Sequence, residues 1–235
     1  MTTIPPVLDD DMAARTSAPD WTYAQLVRRI VTGEIPAGTR LTEEQLASEL
    51  KVSRTPLRMA LSRLESARII TKQRNRAIYV AELRADEIEE LAALRERVEG
   101  LVARRAAERV KAEGLSTRRA RMIAGQIDAA KGLDSAADVF TLGEHFHIEL
   151  IRLSGLRRAR DVLTDIYLGL ERYRYMLAED PMRAKKRVEE HEGILDAIEA
   201  GDGDTAEHLM RQHILNGLAF YRERLLPMLE TTDNR

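Results

Sequence analysis

Residues 46–64, LASELKVSRTPLRMALSRL, oblige the chain to make two short helices in quick succession. Thr42 stands three residues before Gln45, the spacing of a capping box in which the threonine oxygen takes an exposed backbone N–H and Gln45 reaches back to the cap. A helix is expected from there to about Leu50. After Lys51 and Val52, Ser53 restarts the chain as an N-cap, and Pro56 falls in a first helical turn, where its missing N–H costs nothing. Leu57, Leu61 and Leu64 follow the i, i+4, i+7 rule and must face a core, whereas Arg54 and Arg58 share another face near the helix start. Two helices joined by so tight a turn, the second opening with arginines, make a helix-turn-helix. The guanidinium fork suits phosphate oxygens and the O6/N7 edge of guanine, so the second helix is the candidate for a DNA major groove.

Charge is distributed to match. The whole chain carries a net −2, which alone argues against a nucleic-acid partner. Residues 21–81, however, hold 11 basic against 5 acidic side chains, while the segments on either side are acidic. Between Lys51 and Arg76 stand eight basic residues and one acid, Glu65. Such a patch releases counterions from a phosphate backbone and makes binding salt-sensitive; the alternative is a merely solvated helix face.

The absence of cysteine excludes disulfides, thiolate metal sites and a cysteine nucleophile. The chain shows no run of 18 apolar residues and no signal peptide, so a cytoplasmic protein without membrane contact is expected. With 4% aromatic residues and few β-runs, the chain should be mainly α. Residues 1–19, with an Asp triplet and prolines, read as a disordered tail. A first helix follows over about Trp21–Thr32, ended by Gly33. Beyond the reading helix, Ile69–Lys72 and Ala77–Val80 form a hairpin wing with a basic turn at Gln73–Arg76. From about residue 86 the pattern becomes amphipathic helices near 86–113, 116–131, 135–153, 157–179, 182–200 and 203–228, a helical bundle. The domains are thus 20–82, a winged helix-turn-helix, and 83–232, an all-helical bundle, with a hinge near Glu82–Asp86.

The loop after Ile30 and the VSRTPLR core at residues 52–58 resemble the winged-helix domain of the GntR family of bacterial transcription regulators. The stretches FHIEL, LSG, EEHEGILDAIEAGD and AEHLMRQHI resemble the FCD domain of its FadR-type branch. The resemblance implies that Arg54, Thr55 and Arg58 reach base edges or adjacent phosphates, and that Ser53, Arg63, Arg74 and Arg76 hold backbone. The wing has Ala77 where the family usually has Gly.

His147, His191 and His213 each lie on an apolar helical stripe. One such histidine is ordinarily a satisfied core residue; three on separate helices favour ligation of a divalent metal such as Zn, Ni or Mn, or else an anionic ligand without metal. In the resembled family an Asp one turn before the first His completes the metal set. Here that position is Gly143, leaving Glu144, a water or an effector carboxylate as possible substitutes. Leu156 stands where the family has Asn. Arg95 lies on an apolar stripe and either pairs with Glu99 or receives an effector carboxylate. Tyr167 and Arg174 are further candidates for the effector cavity.

The resulting expectation is a DNA-binding regulator, a repressor acting as a homodimer on a pseudo-palindromic operator. A small carboxylate metabolite bound in the bundle, with or without a metal, would control it. The alternatives are a metal-responsive regulator and a metal-dependent helical enzyme.

Overall fold

The computed structural model describes residues 17–73, 77–130, 136–176, 181–225, 227 and 229. Contacts divide the chain into two compact units, one of residues 1–84 with 167–176 and one of 85–166 with 177–235.

In the first unit, α1 spans Ala18–Val31 and is capped by Ser17, whose side chain accepts from Asp20 N. The helix therefore begins inside the expected tail, because Ser17 and Pro19 supply an N-cap and a first-turn proline; residues 1–16 lie outside the described residues. Strand β1, Arg40–Leu41, leads to α2, Glu43–Leu50, and α3, Arg54–Ser66. Strands β2, Ile70–Lys72, and β3, Ile78–Val80, complete a sheet of order β1-β3-β2. Both pairings are antiparallel, with Arg40 opposite Tyr79 and Thr71 opposite Tyr79 on the two sides of β3. The two-residue β1 is too short to show a period in sequence. Leu26, Leu57, Leu61, Leu64, Ile69, Ile70 and Val80 are buried in one core, and each fully buried aliphatic chain contributes roughly 1.5–3 kcal/mol.

Residues 167–176 belong to this unit although they lie far along the chain. Leu168 enters the same core. Arg172 donates to the Ala81 carbonyl, while the Tyr173 hydroxyl accepts from Arg84 N at 3.1 Å and donates to Arg84 O at 3.2 Å. The stretch expected to act as a hinge is thus fastened at residues 81 and 84.

In the second unit, α4 spans Ala85–Glu113, α5 Arg118–Ala130, α6 Ala136–Ser154, α8 Pro181–Ala200 and α9 Gly203–Arg224. Helix α7, Arg157–Arg174, begins here, and its last eight residues count with the first unit. Helix α4 packs against α9, α6 and α8, and α5 packs against α6 and α8. Small residues permit the close α4–α9 approach: Ala103, Ala106 and Ala107 are fully buried, and a Cβ on Gly100 would come within 2.9 Å of Arg211 Cγ. The Arg211 guanidinium in turn reaches buried Glu96 at 2.5 Å. These packings hold α4, α6, α8 and α9 in register and so set where their polar residues meet.

Candidate nucleic-acid interface and candidate metal centre

The reading head is built by α2, a left-handed turn and α3. Thr42 caps α2 by accepting from Gln45 N at 3.3 Å. Gln45 does not complete the capping box; its side-chain amide donates to Glu49 at 3.0 Å, a neighbour one turn on. Lys51 takes φ 54°, ψ 41°, which ends α2, and α3 starts three residues later. Ser53 holds the extended N-cap backbone but makes no side-chain cap bond.

Arg54, Thr55, Arg58, Met59, Ser62 and Arg63 form the exposed side of α3, opposite buried Leu57, Ala60, Leu61 and Leu64. Within that face the arginines differ. Arg58 is 64% exposed and pairs with Glu43 at 2.9 Å, so it is presented but already engaged by an acid. Arg63 donates to Asp20 at 2.7 Å and its guanidinium lies 3.8 Å over the Tyr23 ring. These contacts fasten α3 to α1, and hydrogen bonds from Ser17 and then Arg63 hold the Asp20 carboxyl below its ordinary range. Arg63, expected on the DNA backbone, is thus also engaged with α1. Lys72 pairs with Glu65, while Arg74 and Arg76 lie outside the described residues. Ala77 is buried at the base of the wing. Positive-φ non-glycine residues among those described are Lys51 and Arg68, so alanine at 77 requires no strained backbone.

In the second unit, α6, α8 and α9 bring His147, His191 and His213 together, with one ring nitrogen from each lying within 4.8 Å of the others. All three are buried. His147 Nδ1 lies against Glu99 Oε2, and Glu99 Oε1 accepts from Arg95 Nε at 2.5 Å. His213 Nδ1 is 2.7 Å from Glu190 Oε2, and Glu190 Oε1 accepts from Asn216 at 2.8 Å. Both nitrogens of His191 lack a hydrogen-bond partner, and its ring stacks on Phe146 with centroids 4.3 Å apart and planes at 24°.

Burial, then the neighbouring His213 and His147, pushes His191 well below the usual histidine range. Burial likewise lowers His213 to about 4, against the upward pull of the Glu190 hydrogen bond. For Glu99 burial acts upward, but Arg95 and then His147 outweigh it and keep the carboxylate ionised. His191 and His213 are thus held as neutral imidazoles, with the ionised Glu99 beside His147. Neutral imidazole is the ligating form, and two buried, unsatisfied nitrogens on one ring cost desolvation energy that a ligated ion would recover. The three histidines are residues that could hold a divalent ion.

Glu144 is buried but does not join the ligand-atom cluster. At Gly143 a Cβ would stand 3.9 Å from His191 Cε1, so this position faces the N–C–N edge of that ring. Arg95 is paired with Glu99, the structural alternative foreseen for it. Tyr167 and Arg174 group with the first unit, not with the unit holding the histidines, and Arg174 pairs with Glu171. Glu190 and Asn216 escaped sequence reasoning. The visible signal was an acid beside His191 and an amide one turn after His213.

A winged helix-turn-helix on a chain whose second unit is helical defines a class of DNA-binding regulators. Residues 20–80 match the family described as bacterial regulatory proteins, gntR family, and residues 90–216 match the FCD domain. The chain belongs to the GntR family of transcriptional regulators, in the group that carries an FCD domain. It is similar to the HTH-type transcriptional repressor RspR of Escherichia coli K12, at 28% identity over 82% of this chain and 83% of that protein. It is also similar to the Nta operon transcriptional regulator of Aminobacter aminovorans, at 29% over 75% and 81%. The solved structure of E. coli McbR/YncC shares the fold with a TM-score of 0.74, covering 89% of this chain and 99% of that one at 18% identity. These relatives are regulators, and the chain is not an enzyme. Among the described residues no helix is long and apolar enough to cross a membrane.

Proposed function

We propose that the chain is a homodimeric repressor whose operator affinity is set by a small carboxylate metabolite, bound together with a divalent metal at His147, His191 and His213. The observation that carries this reading is the fully buried His191, whose two nitrogens lack protein partners inside a cluster of three imidazoles. A divalent ion there supplies a Lewis-acidic position for a carboxylate oxygen. Gly143 contributes no side chain at the place facing His191, which leaves that approach to a ligand from solution. The proposed division of labour follows the domains: residues 20–82 read DNA and 83–232 bind the effector and dimerise. Two reading heads on a two-fold axis would address half-sites about one helical turn apart. The repressor sense is supported by the name of the RspR relative.

Effector binding moves the DNA equilibrium only by its differential affinity for DNA-competent and DNA-incompetent states. The test begins with native and denaturing mass spectrometry of the purified protein. Wild type should carry extra mass that unfolding removes, and His191→Ala should not. Anisotropy titration at fixed salt on a duplex selected from a random library should then respond to the retained acid. A wild type that takes up none of zinc, nickel or manganese overturns the metal part of the reading.

A further inference from the structure

The three histidines are not held in the same way, and the difference assigns their donor atoms. Glu190 on α8 is hydrogen-bonded to His213 at Nδ1, and Glu99 on α4 stands in ion-pair contact with Nδ1 of His147. An ionised carboxylate is an acceptor with no proton to give, so a bare ring nitrogen facing it would set lone pair against lone pair. Each carboxylate is itself anchored by a donor about one turn from a site residue. Arg95, four residues before Glu99, binds its other oxygen, and Asn216, three residues after His213, binds the other oxygen of Glu190. His191 has no such carboxylate, and the Phe146 ring stacked on it fixes its plane instead.

The geometry points to Glu99 and Glu190 as positioning residues that hold His147 and His213 as Nδ1–H tautomers, leaving Nε2 of each as the atom that ligates the metal. This inference rests on the metal reading above. It gives Arg95 a role two steps from the metal, through Glu99 and then His147, in place of direct contact with an effector. Outer carboxylates of this kind raise the basicity of the ligating nitrogen, and their loss typically lowers metal affinity roughly 10–100-fold.

The experiment has two readouts on the full chain. Long-range 1H–15N spectra of metal-free, histidine-labelled protein, assigned with single histidine variants, should show His147 and His213 as Nδ1–H tautomers. Nε2–H tautomers at both would overturn the inference. Zinc affinity, measured by competition with a chromophoric chelator, should fall roughly 10–100-fold in Glu190→Gln and in Glu99→Gln, because the charge is removed while size is kept. Glu190→Gln is the variant to rely on if the fully buried Glu99→Gln does not fold. Wild type and Glu190→Gln binding zinc equally would overturn this inference and leave the metal reading standing. A wild type with no zinc affinity would overturn both.

Discussion

Gly143 is the residue at which this centre departs most informatively from the ligand set its family resemblance implies. The Cβ position lies in ordinary van der Waals distance of His191, so a side chain can start there without displacing the ring. Gly143→Asp is expected to tighten zinc binding about tenfold or more in the chelator competition and to weaken the response of DNA binding to the organic acid. Unchanged affinity would show that residue 143 does not face the ion. At the other end of the chain, the arginines of α3 separate into two roles. Arg58→Ala should weaken binding to a selected operator by roughly tenfold to hundredfold, the ~1–3 kcal/mol of a bidentate base contact. Arg63→Ala should instead lower the melting temperature, since Arg63 binds Asp20 and covers Tyr23. Calorimetry and anisotropy on the two variants read the two effects apart, and identical profiles would refute the division.

At the scale of elements, most helices are legible from periodicity, caps and breakers because these signals are local. The expected 86–113 and 203–228 are observed as Ala85–Glu113 and Gly203–Arg224. The turn between α2 and α3 is likewise visible in Ser53 and Pro56, although the structure uses Lys51 in the left-handed region, which no rule for lysine foretells. The histidine centre was legible because three imidazoles on three apolar stripes demand an explanation. Its carboxylates were not: Glu99 and Glu190 are ordinary acids until packing of α4, α6, α8 and α9 brings them against Nδ1 atoms. The same reason hides the association of residues 167–176 with the first unit. Tyr173→Phe removes a hydroxyl that both accepts from and donates to Arg84, and should cost about 1 kcal/mol in denaturant unfolding. A change below a few tenths of a kcal/mol would mean that water replaces the hydroxyl without loss.

For the molecule as a whole, a net charge of −2 conceals a basic first domain on an otherwise acidic chain. DNA affinity should therefore fall steeply with salt, with a log–log slope of about −0.9 per neutralised phosphate on duplex DNA. Lys51→Ala, which removes an exposed cation, should reduce that slope by about one in each protomer that engages DNA. A slope near zero would refute electrostatic binding. The pairing of Arg58 with Glu43 adds a consequence for fidelity. The acid is an internal decoy, held where a nucleic-acid partner would have to displace it. Random sequence, offering phosphates but no matching base edge, must break the same pair, so the decoy lowers affinity for cognate and stray sites alike: a saturated cognate site stays filled while weakly held stray sites empty.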